Sequence, residues 1–156
     1  MAARSVTKHA STDWRLRYIS RLLAMPPPMA AKALPYASVL HLIIIPNYME
    51  DLMVLRETLY LLSTHALART AYYPVLGFEA REPGALDKAH ALEEEFKNSF
   101  LGIGHTLHPS GLVGEAPGKS SNLAWAIRHA WLELKTECMQ EIIDLTVVTV
   151  IDSDSE

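Results

Sequence analysis

Apolar residues follow two alternating rhythms along this chain. Over 39–45 the run Val-Leu-His-Leu-Ile-Ile-Ile is almost continuously apolar and rich in β-branched residues. A strand buried on both faces of a parallel sheet reads this way. Pro46 stops the run, and the spacing then turns helical, with Leu52, Leu55, Leu59 and Leu62 on one stripe. Residues 72–78 read as a second strand. Residues 87–100 read as a second helix, with Ala85, Ala89, Leu92, Phe96 and Phe100 on its inner side. A third strand is expected over 101–107 and a Gly- and Pro-rich loop over 108–118. A third helix over 120–135 points Leu123, Ile127, Ala130 and Leu134 inward, and a buried last strand covers 145–151. Alternation of strand and helix predicts an α/β fold with a mostly parallel, Rossmann-like sheet. Ligands of such sheets sit beyond the carboxyl ends of the strands.

That pattern divides the chain into an N-terminal segment, 1–38, and a layered domain, 39–156. Residues 1–10 read as a polar tail. A helix is expected over 11–25, where Ser11, Thr12 and Asp13 are all candidate N-caps. Trp14, Tyr18, Leu22 and Met25 keep helical spacing, beside Arg15, Arg17 and Arg21. The helix packs on the domain or lies in a membrane interface, where basic and aromatic residues suit the headgroups. Pro26-Pro27-Pro28 ends it, and 26–38 reads as a linker.

Composition narrows the chemistry. A net charge of -4 gives no electrostatic case for nucleic acid. The single cysteine, Cys138, excludes an internal disulfide framework and a Cys-rich zinc site, and reads as a small half-buried apolar residue. No run approaches the about 18 consecutive apolar residues that a membrane span needs. The N-terminus lacks the apolar core of a secretory signal, so a cytoplasmic chain is expected.

Three segments follow strands at the expected ligand edge. In Pro46-Asn47-Tyr48-Met49-Glu50, Tyr48 can offer its ring to a nucleobase and Glu50 can accept a hydrogen bond. Equally, Glu50 and Asp51 favour a helix N-terminus. Glu79-Ala80-Arg81-Glu82 is either an acceptor for the imide N–H of a uracil, with Glu79 nearest the strand, or a solvated charge cluster. Asp152-Ser153-Asp154 places two carboxylates on one face of an extended chain, within reach of one hard cation, Mg²⁺ or Mn²⁺. A fourth segment, from Gly114 to Asn122, departs from a P-loop because only three residues separate Gly114 from Gly118. It still provides Lys119 as a point charge for phosphate at a helix N-terminus. His105 and His108 are expected on either side of a turn, without a nearby carboxylate to complete a metal site.

Ile43-Ile-Ile-Pro-Asn-Tyr-Met-Glu50, Gly118-Lys-Ser-Ser-Asn-Leu-Ala-Trp-Ala126 and Val148-Thr-Val-Ile-Asp-Ser-Asp154 together resemble the family 2 glycosyltransferases, in a fungal-type, membrane-associated branch. The first motif of that family usually reads Pro-x-Tyr-Asn-Glu, and Met49 stands here in place of the Asn. The usual Asp-Asp after the second strand is replaced by Glu79 with Arg81 and Glu82. The resemblance implies a GT-A type sheet, truncated after the Asp-x-Asp strand, and a nucleotide-diphosphate sugar as donor. It assigns Pro46 to the first motif, Tyr48 and Glu79 to the base, and Glu50 to the nucleoside. Lys119 falls to the diphosphate, and Asp152 and Asp154 to ribose and metal. The acceptor is unknown. Full-length relatives are membrane-associated, through segments outside this chain.

In that family the carboxylate base that takes the acceptor proton follows Asp-x-Asp. The chain is therefore expected to carry the donor-binding half, with no catalytic residue of its own and no turnover alone. Two other readings stay open: a non-enzymatic interaction fragment with an exposed sheet edge, and a nucleotide hydrolase built on the Gly-Lys loop.

Overall fold

The structure, a computed structural model, describes residues 12–35, 38–115, 118–137 and 140–152. The expected polar tail, Ser11, Cys138 and Asp154 lie outside them. The chain divides into two compact units, Met1–Ser38 and Val39–Glu156.

In the first unit, α1 (Trp14–Leu23) starts where the Asp13 carboxylate accepts a hydrogen bond from Leu16 N at 2.9 Å. This satisfies one of the orphan donors of the first turn. The segment expected as a linker contains a helical turn, α2 (Pro27–Ala30), with proline at its first positions. Proline is tolerated there because its missing N–H would have no intrahelical partner. Tyr18 Oη donates to Leu34 O and ties the two pieces together. Among the described residues no helix is long and apolar enough to cross a membrane.

The second unit runs β1 (Leu40–Pro46), α3 (Leu52–Ser63), α4 (Ala68–Ala71), β2 (Tyr72–Glu79), α5 (Ala85–Phe96), β3 (Gly104–His108), α6 (Lys119–Glu137), α7 (Gln140–Asp144), β4 (Thr146–Val150). All three strand pairings are parallel, and the order across the sheet is β3-β2-β1-β4. This is the expected α/β, Rossmann-like architecture. Pro46 is the last paired residue of β1, opposite Gly77, rather than a stop before it. The chain steps outward from β1 to β2 to β3. After α6 it returns to the far side of β1. The reversal creates a topological switch point between the carboxyl ends of β1 and β4, the usual ligand crevice of an open α/β sheet.

Alternation along the strands sorts the core into two layers. Ile43, Ile45, Leu76 and Phe78 pack with Leu55 and Leu59 of α3 and with Ala85, Ala89, Leu92 and Phe96 of α5. Leu40, Leu42, Ile44 and Val75 pack on the other side with Ala126, Ala130 and Leu134 of α6. The helix stripes expected from spacing face these layers, with Leu52, Leu62, Leu123 and Ile127 half-buried and the rest buried.

The expected burial of the last strand fails. The strand over 145–151, expected to be buried, is an edge strand with Val147, Val148 and Val150 exposed. Among the described residues β1 is its one strand neighbour, and α6 lies across β1, β2 and β3. An apolar, β-branched run records strand propensity. Whether a layer covers it depends on elements elsewhere.

Candidate functional site

The turn after β1 is built on a buried amide. Asn47 N donates to Gly77 O at 2.7 Å, and Asn47 Oδ1 accepts from Glu50 N at 3.0 Å. Asn47 Nδ2 donates to Glu82 Oε2 at 2.8 Å. Asn122, near the start of α6, donates from Nδ2 to Asn47 O at 3.0 Å and to Gly77 O at 2.8 Å. Both asparagines are fully buried. They fasten the α6 N-terminus to the ends of β1 and β2, the strands that carry the first two site loops. Gly77 makes this approach possible, since a Cβ there would sit 3.2 Å from both Ala126 Cβ and Asn122 Oδ1.

Within that turn Glu50 folds back, its carboxylate accepting from Tyr48 N, while Asp51 caps α3 by accepting from Met53 N at 2.8 Å. Of the two acidic residues expected to favour this helix, Asp51 does so. Met49 takes φ 64°, in the left-handed region. That conformation costs an ordinary L-residue about 1–2 kcal/mol, and Asn tolerates it better. Met49→Asn is therefore expected to raise the unfolding free energy by about 0.5–1 kcal/mol, measured by urea denaturation. A neutral or destabilising result would mean that the turn gains nothing from Asn.

Tyr48 is half exposed, and the Arg81 guanidinium carbon lies 5.4 Å from the centre of its ring. This contact joins the loop after β1 to the loop after β2. Glu79, at the end of β2, is buried rather than solvated. Its Oε2 lies 3.3 Å from His108 Nδ1 and 3.6 Å from Arg81 Nε. Its Oε1 has no hydrogen-bond partner among the described residues. An orphaned buried carboxylate oxygen is costly, and this one belongs to a residue lining a cavity of about 210 Å³ with Arg81, His108, Leu112 and Glu115.

His105 and His108 are not separated by a turn. Both lie on β3, and three residues of strand send them to opposite faces. His108 is opposite Glu79 in register and packs edge-on to Trp125 of α6. Its Nε2 is 3.0 Å from Glu115 Oε2, so the ring is held between two carboxylates. His105 faces α5 and hydrogen-bonds Glu93 at 2.7 Å. Each histidine therefore has the nearby carboxylate that sequence reading did not provide.

Lys119 opens α6 and Asp152, 33 positions later, follows β4. Lys119 Nζ donates to Asp152 Oδ1 at the switch point, where both side chains keep over two-fifths of their surface exposed. Asp152 is placed by parallel pairing, because Ile151 N donates to Ile44 O at 3.0 Å and carries the sheet ladder one residue past β4. Asp154, the second expected ligand, lies outside the described residues. Of the expected site residues, Pro46, Tyr48, Glu50, Glu79, Lys119 and Asp152 all stand at the carboxyl edge of one sheet. Sequence reading named Glu82 within a charge cluster and His108 beside a turn, and gave no role to Asn47, Asn122 or Lys88.

No protein-family model, curated protein or solved structure matches this chain.

Proposed function

We propose that residues 39–156 carry the donor-binding part of a family 2 glycosyltransferase with a GT-A type sheet, taking a UDP-sugar with Mn²⁺ or Mg²⁺ and serving an acceptor not yet identified. The observation that carries this reading is the meeting of Lys119 with Asp152 beyond the switch point. An exposed ion pair contributes only about 0–1 kcal/mol to stability, so separating it costs the fold little. With donor bound, the ammonium takes phosphate oxygens and the carboxylate takes the cation. One or two carboxylates together with substrate phosphates are the usual donor set for a hard divalent ion. Asp152 fits that set, and the resemblance adds Asp154.

Two further features support the reading. Met49 has the backbone conformation that favours Asn, the residue the resembled motif carries there. The unpartnered Glu79 Oε1 offers an acceptor for the imide N–H of uracil, and the ring of Tyr48 offers a stacking surface. The cation, when bound, stabilises negative charge on the departing diphosphate. The residues of the chain bind and orient the donor.

Titration of the protein with UDP in the presence of Mn²⁺ tests this. Saturable binding is expected, weakened more than about tenfold in Asp152→Ala and in Lys119→Ala, since each removes an interaction with a charged group. Equal affinity in both variants and the wild type would remove the donor site. A second reading, an interaction domain, draws on the exposed valines of β4. Concentration-dependent self-association with no response to UDP would favour it.

A further inference from the structure

We propose that His90, Glu93 and His105 form a binding site for a divalent transition metal of the zinc class, on the opposite face of the sheet from His108 and α6. One potential ligand atom from each residue lies within 4.8 Å of those of the other two. The grouping follows from two periodicities. His90 and Glu93 are three apart on α5 and so share a helix face. His105 stands on β3, the edge strand beside which α5 packs, and alternation turns its ring toward that helix. The rings of His90 and His105 meet edge to face with centres 5.5 Å apart.

The donor set suits the metal class. Two imidazole nitrogens and one carboxylate oxygen match zinc and its neighbours better than Mg²⁺ or Ca²⁺, which prefer all-oxygen shells. Two ligands at zinc-bond length on a tetrahedral ion stand about 3.4 Å apart. The Glu93 and His105 donors, hydrogen-bonded at 2.7 Å, need to open by about 0.7 Å, and that of His90, no more than 4.8 Å away, to close by at most about 1.4 Å, within reach of rotamer adjustment at the exposed His90. The site opens on a groove of about 610 Å³ at the β3 edge, leaving room for water as a fourth ligand. Glu94 and Glu133 line the same groove against one cation, Lys97, so its lining favours positive charge.

This site is separate from the proposed donor site in both place and chemistry. Glu79, Lys119 and Asp152 are not part of it, and hard-ion binding at Asp152 does not involve imidazole. Its test is a titration of the full chain with Co²⁺, read by visible d–d bands, and with Zn²⁺, read by calorimetry and by the shift in melting temperature. One equivalent of Co²⁺ is expected to bind at micromolar concentration with the band intensity of a four-coordinate nitrogen–oxygen site. Zn²⁺ is expected to raise the melting temperature. His90→Ala and His105→Ala should each lose more than about tenfold in affinity and abolish the thermal shift. Asp152→Ala should retain both, as should His65→Ala, at a histidine just after α3 that hydrogen-bonds Tyr72 Oη at 3.0 Å. His90 is exposed, so His90→Ala is expected to keep the wild-type circular dichroism spectrum. Glu93→Gln provides a third variant that preserves side-chain shape. The proposal is overturned if no stoichiometric binding occurs, or if the His90→Ala/Glu93→Gln double variant, folded by the same spectrum, binds as the wild type does.

Discussion

Lys88→Met is expected to lower the unfolding free energy by about 3 kcal/mol, because it leaves a buried carboxylate without its cation. Lys88 Nζ pairs with Glu82 Oε1 and donates to Glu50 O at 2.8 Å. The Glu82 side chain is 3% exposed and that of Lys88 22%, so the acid is the member that solvent cannot rescue. This asymmetry makes the prediction specific. Glu82→Gln should cost about 1 kcal/mol, since an amide oxygen can still accept from Asn47 Nδ2 and Lys88 retains partial hydration. The double variant should then be more stable than Lys88→Met alone, with a coupling of about 2 kcal/mol. Urea unfolding of the four proteins measures the cycle. Stability of Lys88→Met within about 0.5 kcal/mol of wild type, the scatter of ordinary surface changes, would show that this pair does not hold the turn after β1.

Asn122→Ala is expected to cost about 2–4 kcal/mol, combining two lost buried hydrogen bonds with the space the side chain leaves. Gly77 O retains its bond from Asn47 N, so its loss is partial. Asn47 O loses the donor from α6. Asn122→Asp keeps the shape but places acceptors against two carbonyl oxygens, and should be at least as costly. Both variants should also release the N-terminus of α6, which carries Lys119. Hydrogen exchange at Ser120–Leu123 is therefore expected to rise more than exchange in the central strands. If both variants match the wild type in denaturation midpoint, α6 is anchored by its apolar layer alone.

Much of the architecture was legible because the relevant signals are local. The continuous run ending at Ile45 identified β1, and helical spacing selected Leu55, Leu59, Ala89, Leu92, Phe96, Ala130 and Leu134, all of them buried. Burial of β4 was not legible. Its valines look the same whether or not a layer covers them. Polar residues in the core were missed for a related reason. Asn122 is buried because it meets Asn47, 75 positions earlier, and no spacing rule connects them. His90 and Glu93 carried a usable signal in their three-residue separation, but the third donor became visible only once β3 was placed beside α5. For the candidate site, each loop was identified by its position after a strand. The strand order then brought Lys119 to Asp152, a contact that neither motif contains.

The proposed donor site requires the loops after β1, β2 and β4 and the start of α6 to take a nucleoside diphosphate and a hard cation together. Backbone amide spectra of the isotope-labelled protein, recorded with UDP and Mg²⁺ and then with Mn²⁺ replacing Mg²⁺, test it most directly. Shifts are expected to group at Asn47–Glu50, Glu79–Arg81 and Lys119–Ser121, with paramagnetic broadening by Mn²⁺ centred on Ile151 and Asp152. Broadening centred elsewhere, or spectra unchanged by UDP at saturating Mg²⁺, would contradict it.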